Sequence, residues 1–282
     1  MTAVRNIDSL LDGIVTLPSL PSSVAWITQL INNPDSSLAE VGKAMQTDPA
    51  LALKTLRLVN SAYYGLTNKV TSVDHAVSLL GLKVIKNLVY TAAVFDSFRR
   101  SKDELLRHSV SCGMAMKVLL EYCPQEKVDT EEAFIFGLLH DIGKIILAEF
   151  LSEDVERAAA LSYSRRLPGH VAEREVIGTD HAEIGGRLAL KWGLSRDLSA
   201  AITAHHDLEY CKDPKVRPLA ATIAFADFMC NASGIVSSPE SVPHIDDEMW
   251  EASGITGKDL PPIIDRFVAS LSSVDELIHM AK

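Results

Sequence analysis

No two of the four cysteines in this 282-residue chain lie at C-x-x-C spacing, so a zinc knuckle or a dithiol redox pair is excluded. Cys112, Cys123, Cys211 and Cys230 read instead as reduced, mostly buried thiols that behave as small hydrophobes. Sustained two-residue alternation of apolar and polar positions is missing, which argues against a fold built on sheets. No apolar run approaches the ~18 residues of a membrane span, and no early stretch joins a basic end to an apolar run and a small-residue cleavage site. A cytoplasmic protein that spans no membrane is expected. Dense basic clusters are also lacking: 27 Lys and Arg face 37 Asp and Glu, a net charge of -10 that repels a phosphate backbone and disfavours nucleic acid as a partner. A helix-turn-helix over 37–61 would have only Lys43, Lys54 and Arg57 to meet DNA, short of the basic stripe required.

What is present is helical periodicity almost throughout. With 47% hydrophobic residues the chain can bury a large core without disulfides, and the spacing predicts an all-α fold. Helices are expected near 5–15, 21–33, 37–47, 49–61, 72–80, 82–99, 102–121, 130–149, 152–166, 169–177, 180–192, 195–206 and 216–232. A Ser-, Pro- and acid-rich loop should cover 231–248, with closing helices near 257–266 and 272–281. Ser37 with Glu40 and Thr71 with Asp74 have capping-box spacing, and Asp48-Pro49 is an N-cap followed by a ring already set for a helix. Charge is uneven: residues 1–100 carry nine Lys and Arg against seven Asp and Glu, and the remainder eighteen against thirty. That shift suggests two packed helical subdomains, 1–100 and 101–235, followed by a loop and closing helices over 236–282.

Several polar residues fall where apolar ones belong. Leu105, His108, Cys112, Ala115 and Leu119 form one helical stripe, with His108 in its middle. In "GLLHDIGK" (137–144), a continuous helix would put Phe134, Leu138, Asp141 and Ile145 on one face, and Gly137, His140, Lys144 and Leu147 on the next. His181 falls in a first helical turn behind Thr179 or Asp180. His205 shares a face with Leu198 and Ile202, His206 is its neighbour, and Asp227 aligns with Ala220, Ile223 and Cys230. A buried carboxylate is costly unless it is paired, hydrogen-bonded or on a cation. Five histidines and two aspartates on inward faces or helix ends exceed what a core needs, and imidazole with carboxylate suits iron, manganese or zinc. His75, His170, His244 and His279 sit beside capping or loop residues or on mixed faces and are left out of the set.

The ordered set His108, His140-Asp141, His181, His205-His206 and Asp227 resembles the HD superfamily of metal-dependent phosphohydrolases, and "HDIGK" is the variant of its cyclic-di-GMP phosphodiesterase branch, the HD-GYP proteins. The resemblance implies an HD-like helical bundle holding two divalent ions, with Asp141 bridging them, His108, His140 and Asp227 on one, and His181, His205 and His206 on the other. Asp141 and Lys144 would then be the catalytic pair, Lys144 steadying phosphate oxygens. The Gly-Tyr-Pro loop of that branch is absent, and "HHDLEYCKDPKVRP" stands in its place. "DPAL", "LVNSAYYG" and "AVSLLG" are phrases of the HDOD domain, which the chain resembles over roughly 12–232. In "NSAYYG", Asn60 and Ser61 can end a helix, Tyr63 and Tyr64 can bury their rings, and Gly65 can supply a left-handed turn. The HDOD resemblance implies a bacterial signal-transduction output protein, with a signalling protein or a small phosphorylated ligand as its partner, and little or no catalysis. The alternative it leaves open is a phosphohydrolase acting on a nucleotide or cyclic nucleotide.

Overall fold

The architecture described here is that of a computed structural model, covering residues 21–61, 64–98, 103–123, 128, 130–238 and 244–281. The helix expected near 5–15 and Tyr63 lie outside these residues. Helix α1 (Ser22–Asn32) is followed by α2 (Leu38–Gln46), which opens on a complete capping box between Ser37 and Glu40. Asp48 caps α3 (Pro49–Val59) by accepting from the Leu51 N–H at 3.0 Å, with Pro49 in the first turn. At its end, Asn60 closes the next loop: its amide donates to the Leu56 and Val70 carbonyls, and its oxygen accepts from the Val70 N–H. Gly65 there has a φ of 57°, the left-handed turn that its lack of a Cβ permits.

Helix α4 (Val73–Phe98) is two helices joined across Gly81, whose φ of 78° and ψ of 167° are closed to other residues, so the expected boundary at 81 is real. Its cap is Ser72, which accepts from the His75 N–H, rather than Thr71 one residue earlier. Val73–Val94 is long and apolar enough to pass for a membrane span by composition, but 56% of that stretch is buried inside the protein and the Gly81 break interrupts it.

The chain continues through α5 (Asp103–Leu120), α6 (Thr130–Leu139), α7 (Ile142–Phe150), α8 (Ser152–Arg165), α9 (Gly169–Ile177), α10 (His181–Lys191) and α11 (Arg196–Thr203). A 3-10 turn over Leu208–Tyr210 leads to α12 (Arg217–Ala232), α13 (Asp247–Ser253) and α14 (Leu260–Ala281). Among the described residues there is no strand, so the protein is all-α. Three expectations are corrected. The helix expected over 130–149 breaks at His140-Asp141, α13 follows directly on a loop expected to run to 248, and the two closing helices are one.

Contacts divide the described residues into two units. In the first, made of 21–98 and 268–281, α1, α2 and α3 pack on α4 around Ile27, Met45, Leu58, Ile85 and Leu88. The second comprises 103–267, where α12 lies against α5, α6 and α11, and α10 lies against α7 and α11. Here α5 and α6 approach until backbones touch: a Cβ on Gly137 would stand 2.3 Å from the Cys112 carbonyl oxygen.

Candidate metal centre

Each candidate side chain in the second unit is delivered by the end or the inner face of a helix. His108 and Cys112 lie one turn apart on α5, both fully buried. The helix after them stops at Leu139 because the His140 ring turns back on its own chain: Nδ1 bonds the Gly137 carbonyl at 2.7 Å. A side chain thus satisfies one of the carbonyls orphaned at the end of α6. The doublet sits in the turn, Asp141 having a φ of -98° and ψ of 9°, and α7 then starts in a new direction. This break lets adjacent residues reach one centre, which the two faces of a continuous helix would not.

His205 repeats the device just beyond α11, its Nδ1 on the Ile202 carbonyl at 2.6 Å. His181 opens α10 behind Asp180, the cap that accepts from the Glu183 N–H. Its Nδ1 is held by the Glu173 carboxylate at 2.6 Å. His108 Nδ1 bonds the Ile235 carbonyl at 2.7 Å. Four rings therefore have Nδ1 committed to an oxygen, which fixes the N–H there and turns an Nε2 lone pair inward when the ring is neutral.

Those inward atoms meet. His108 Nε2 lies 3.4 Å from His140 Nε2 and 3.0 Å from Asp227 Oδ1, while His181 Nε2 lies 2.8 Å from His206 Nε2 and 3.2 Å from Asp141 Oδ1. Asp141 Oδ2 faces the other way, 3.4 Å from His140 Nε2 and 3.7 Å from His108 Nε2. Two donor groups result, each with its atoms within 4.8 Å of one another: His108, Cys112, His140 and Asp227, and Asp141, His181, His205 and His206. All seven residues singled out from the sequence are brought together, and Asp141 has one oxygen towards each group. His205 Nε2 is buried without a hydrogen-bond partner, which is costly for an acceptor. A divalent cation satisfies such a set, so the residues present fit one.

The electrostatics agree. Burial alone would raise Asp141 and Asp227, but His140 and Lys144 hold Asp141 well below the carboxylate range, and His108 and His140 do so for Asp227. Burial opposes charge on His181 as well, yet the Glu173 carboxylate raises the ring to about 10. His205 and His206 are pushed well below the usual imidazole range by burial and by neighbouring rings. Two carboxylates are thus kept anionic and His205 and His206 neutral. Against burial, neighbouring carboxylates raise His140 and His181, so an ion would have to displace protons from those two rings. Lys144 Nζ donates to Asp141 Oδ2 at 2.6 Å and to Ser237 Oγ at 2.7 Å.

A cavity of about 100 Å³ opens on the centre, lined by Lys144, His170, His181, His205, His206 and Asp227 among others. His170, excluded on sequence grounds, stacks on His206 with centroids 4.4 Å apart and planes 10° from parallel. Glu173 was also missed, since α9 reads as a surface helix until His181 folds against it. Replacing Glu173 by alanine should weaken metal binding about 10- to 100-fold, the usual cost of losing a ligand's orienting partner. Competition with a chromogenic chelator measures it, and unchanged affinity would remove Glu173 from the centre.

The profile of the HDOD domain matches residues 17–208. An HDOD domain protein of unknown function from Geobacter sulfurreducens superposes with a TM-score of 0.78 at 25% identity, over 96% of both chains. A protein of Shewanella amazonensis SB2B provisionally described as a phosphohydrolase gives 0.74 at 24% identity, over 97% of this chain and 98% of that one, a likeness of fold. A curated relative from Treponema pallidum (strain Nichols), described as an uncharacterized protein, is 29% identical over 222 residues. The match covers 78% of this chain but spans less than half of that relative, 43%.

Proposed function

Because this chain belongs to the HDOD family, we propose that it is a bacterial signalling output protein whose HD pocket holds two divalent ions and reports their state, or that of a small phosphorylated ligand on them, to a protein partner. The observation that carries the metal reading is the convergence of imidazole nitrogens with Nδ1 already bonded elsewhere, around two buried carboxylates. His108, His140 and Asp227 would hold one ion, His181, His205 and His206 the other, and Asp141 would join them. Little or no turnover is expected. The ammonium that would steady a phosphate is engaged by Asp141 and Ser237.

A second reading, hydrolysis of a nucleotide or cyclic nucleotide phosphoester, is favoured by one feature: Lys144 lines the same cavity as His181, His205 and His206. Two bound ions would supply Lewis acidity towards a phosphoryl oxygen and a nucleophile at neutral pH. Lys144 would then leave Ser237 to hold the phosphate.

Elemental analysis, followed by assay of manganese-, iron- and zinc-loaded protein on phosphomonoesters, phosphodiesters and cyclic dinucleotides, separates the two. Bound metal with turnover no higher than in Asp141→Ala supports the signalling reading. Turnover lost in Asp141→Ala establishes the hydrolase. A folded protein that takes up no metal defeats both.

A further inference from the structure

We propose that Cys112 is a thiolate ligand of the first ion, beside His108, His140, Asp227 and the joining carboxylate of Asp141. The inference rests on the metal reading above and adds a donor that the HD pattern of histidines and aspartates does not contain.

Its basis is position. Cys112 is 1% exposed and follows His108 by one turn of α5, with Sγ 3.4 Å from His108 Nε2. The close approach at Gly137 packs the Cys112 backbone against the last turn of α6, the turn from which His140 emerges. The separations between donors lie near those of ligands around one ion, the nitrogen–nitrogen and sulfur–nitrogen pairs within the range and the two to Asp227 on either side of it. With metal–nitrogen and metal–sulfur bonds of about 2.0 and 2.3 Å, tetrahedral geometry sets donors about 3.3–3.6 Å apart. The separations found are 3.4 Å for nitrogen to nitrogen, 3.4 Å for sulfur to nitrogen, and 3.0 and 3.8 Å from Asp227 Oδ1 to the two rings.

Ligation requires the Cys112 thiol proton to leave to solvent as the ion binds, and the thiolate then stands with the Asp227 and Asp141 carboxylates around the ion. The two groups also differ in access. His181, His205 and His206 line the cavity, whereas His108, Cys112 and His140 do not. Of the first group Asp227 alone reaches the cavity, so the first ion would be the more enclosed of the two and the second would face the pocket. Sulfur further biases the first position towards zinc, cobalt or ferrous iron over manganese.

Cobalt(II) tests this without reference to activity. The cobalt-loaded full chain should show sulfur-to-cobalt charge-transfer absorption in the near ultraviolet together with visible d–d bands. Cys112→Ser should lose the former and keep the latter. Cys230→Ser, which alters the other thiol beside Cys112, should keep both. Visible bands without charge transfer would overturn the proposal and leave the metal reading standing, with Cys112 a core residue only. A charge-transfer band lost in Cys230→Ser but kept in Cys112→Ser would also overturn it. Absence of any cobalt signal in folded protein removes the metal reading and this inference together. If Cys112→Ser does not fold, X-ray absorption of zinc-loaded Cys230→Ser decides: a sulfur shell near ~2.3 Å supports the proposal, and a shell of nitrogen and oxygen alone overturns it.

Discussion

Alanine at position 143 should unfold the second unit or strip it of its centre, although the position is helical and alanine is the better helix former by ~1 kcal/mol. A Cβ there would stand 1.9 Å from the His181 carbonyl oxygen and 2.9 Å from the Gly185 nitrogen. Both are backbone atoms of α10, so no side-chain rotation relieves the clash. Either α7 or the start of α10 must move, and each carries part of the centre. The expected loss lies at or above the roughly 1–3 kcal/mol that overpacking usually costs. Gly169→Ala is the contrast, because its Cβ would meet nothing within 4 Å. Urea denaturation of both variants, with metal content measured alongside, checks the prediction, and a Gly143→Ala protein as stable as wild type would refute it.

Metal loading should be the other large effect. An ion present at 100 times its dissociation constant stabilises the folded state by about 2.7 kcal/mol. In a unit of this size that corresponds to a rise in Tm of roughly 5–10 °C per ion. Asp141→Ala should abolish most of the increment, since that carboxylate alone faces both donor groups. The quantity to read by calorimetry is the difference between loaded and chelated protein, because removing a buried carboxylate changes the metal-free baseline as well. Metal uptake displaces protons from imidazole, so the increment should shrink as pH falls. Equal increments in wild type and Asp141→Ala would disprove the bridging role.

Much of this was legible from residue order, for identifiable reasons. Ser37, Asp48 and Gly81 announce their boundaries because caps and a positive φ depend on local chemistry alone. The seven donors stand out because a histidine or aspartate in an apolar stripe has no ordinary reason to be there. The break at His140-Asp141 escapes because apolar spacing runs through it unchanged, and only the ring on the Gly137 carbonyl shows where the ladder stops. Ser72 takes the place of Thr71 as cap for a similar reason, two hydroxyls being adjacent and only the backbone choosing between them. Glu173 and His170 escape because their part depends on what packs against them: a carboxylate on α9 looks solvated until His181 arrives.

The two histidines that close α6 and α11 make the last helical turns and the donor set a single object. His140 and His205 present Nε2 inward only while Nδ1 holds the Gly137 and Ile202 carbonyls. Fraying of either turn releases a carbonyl and a donor in the same event, and an ion that grips the donor also pins the turn. Occupancy of the pocket would thereby act on the order of two helix termini, a change of local stability that needs no displacement of the fold.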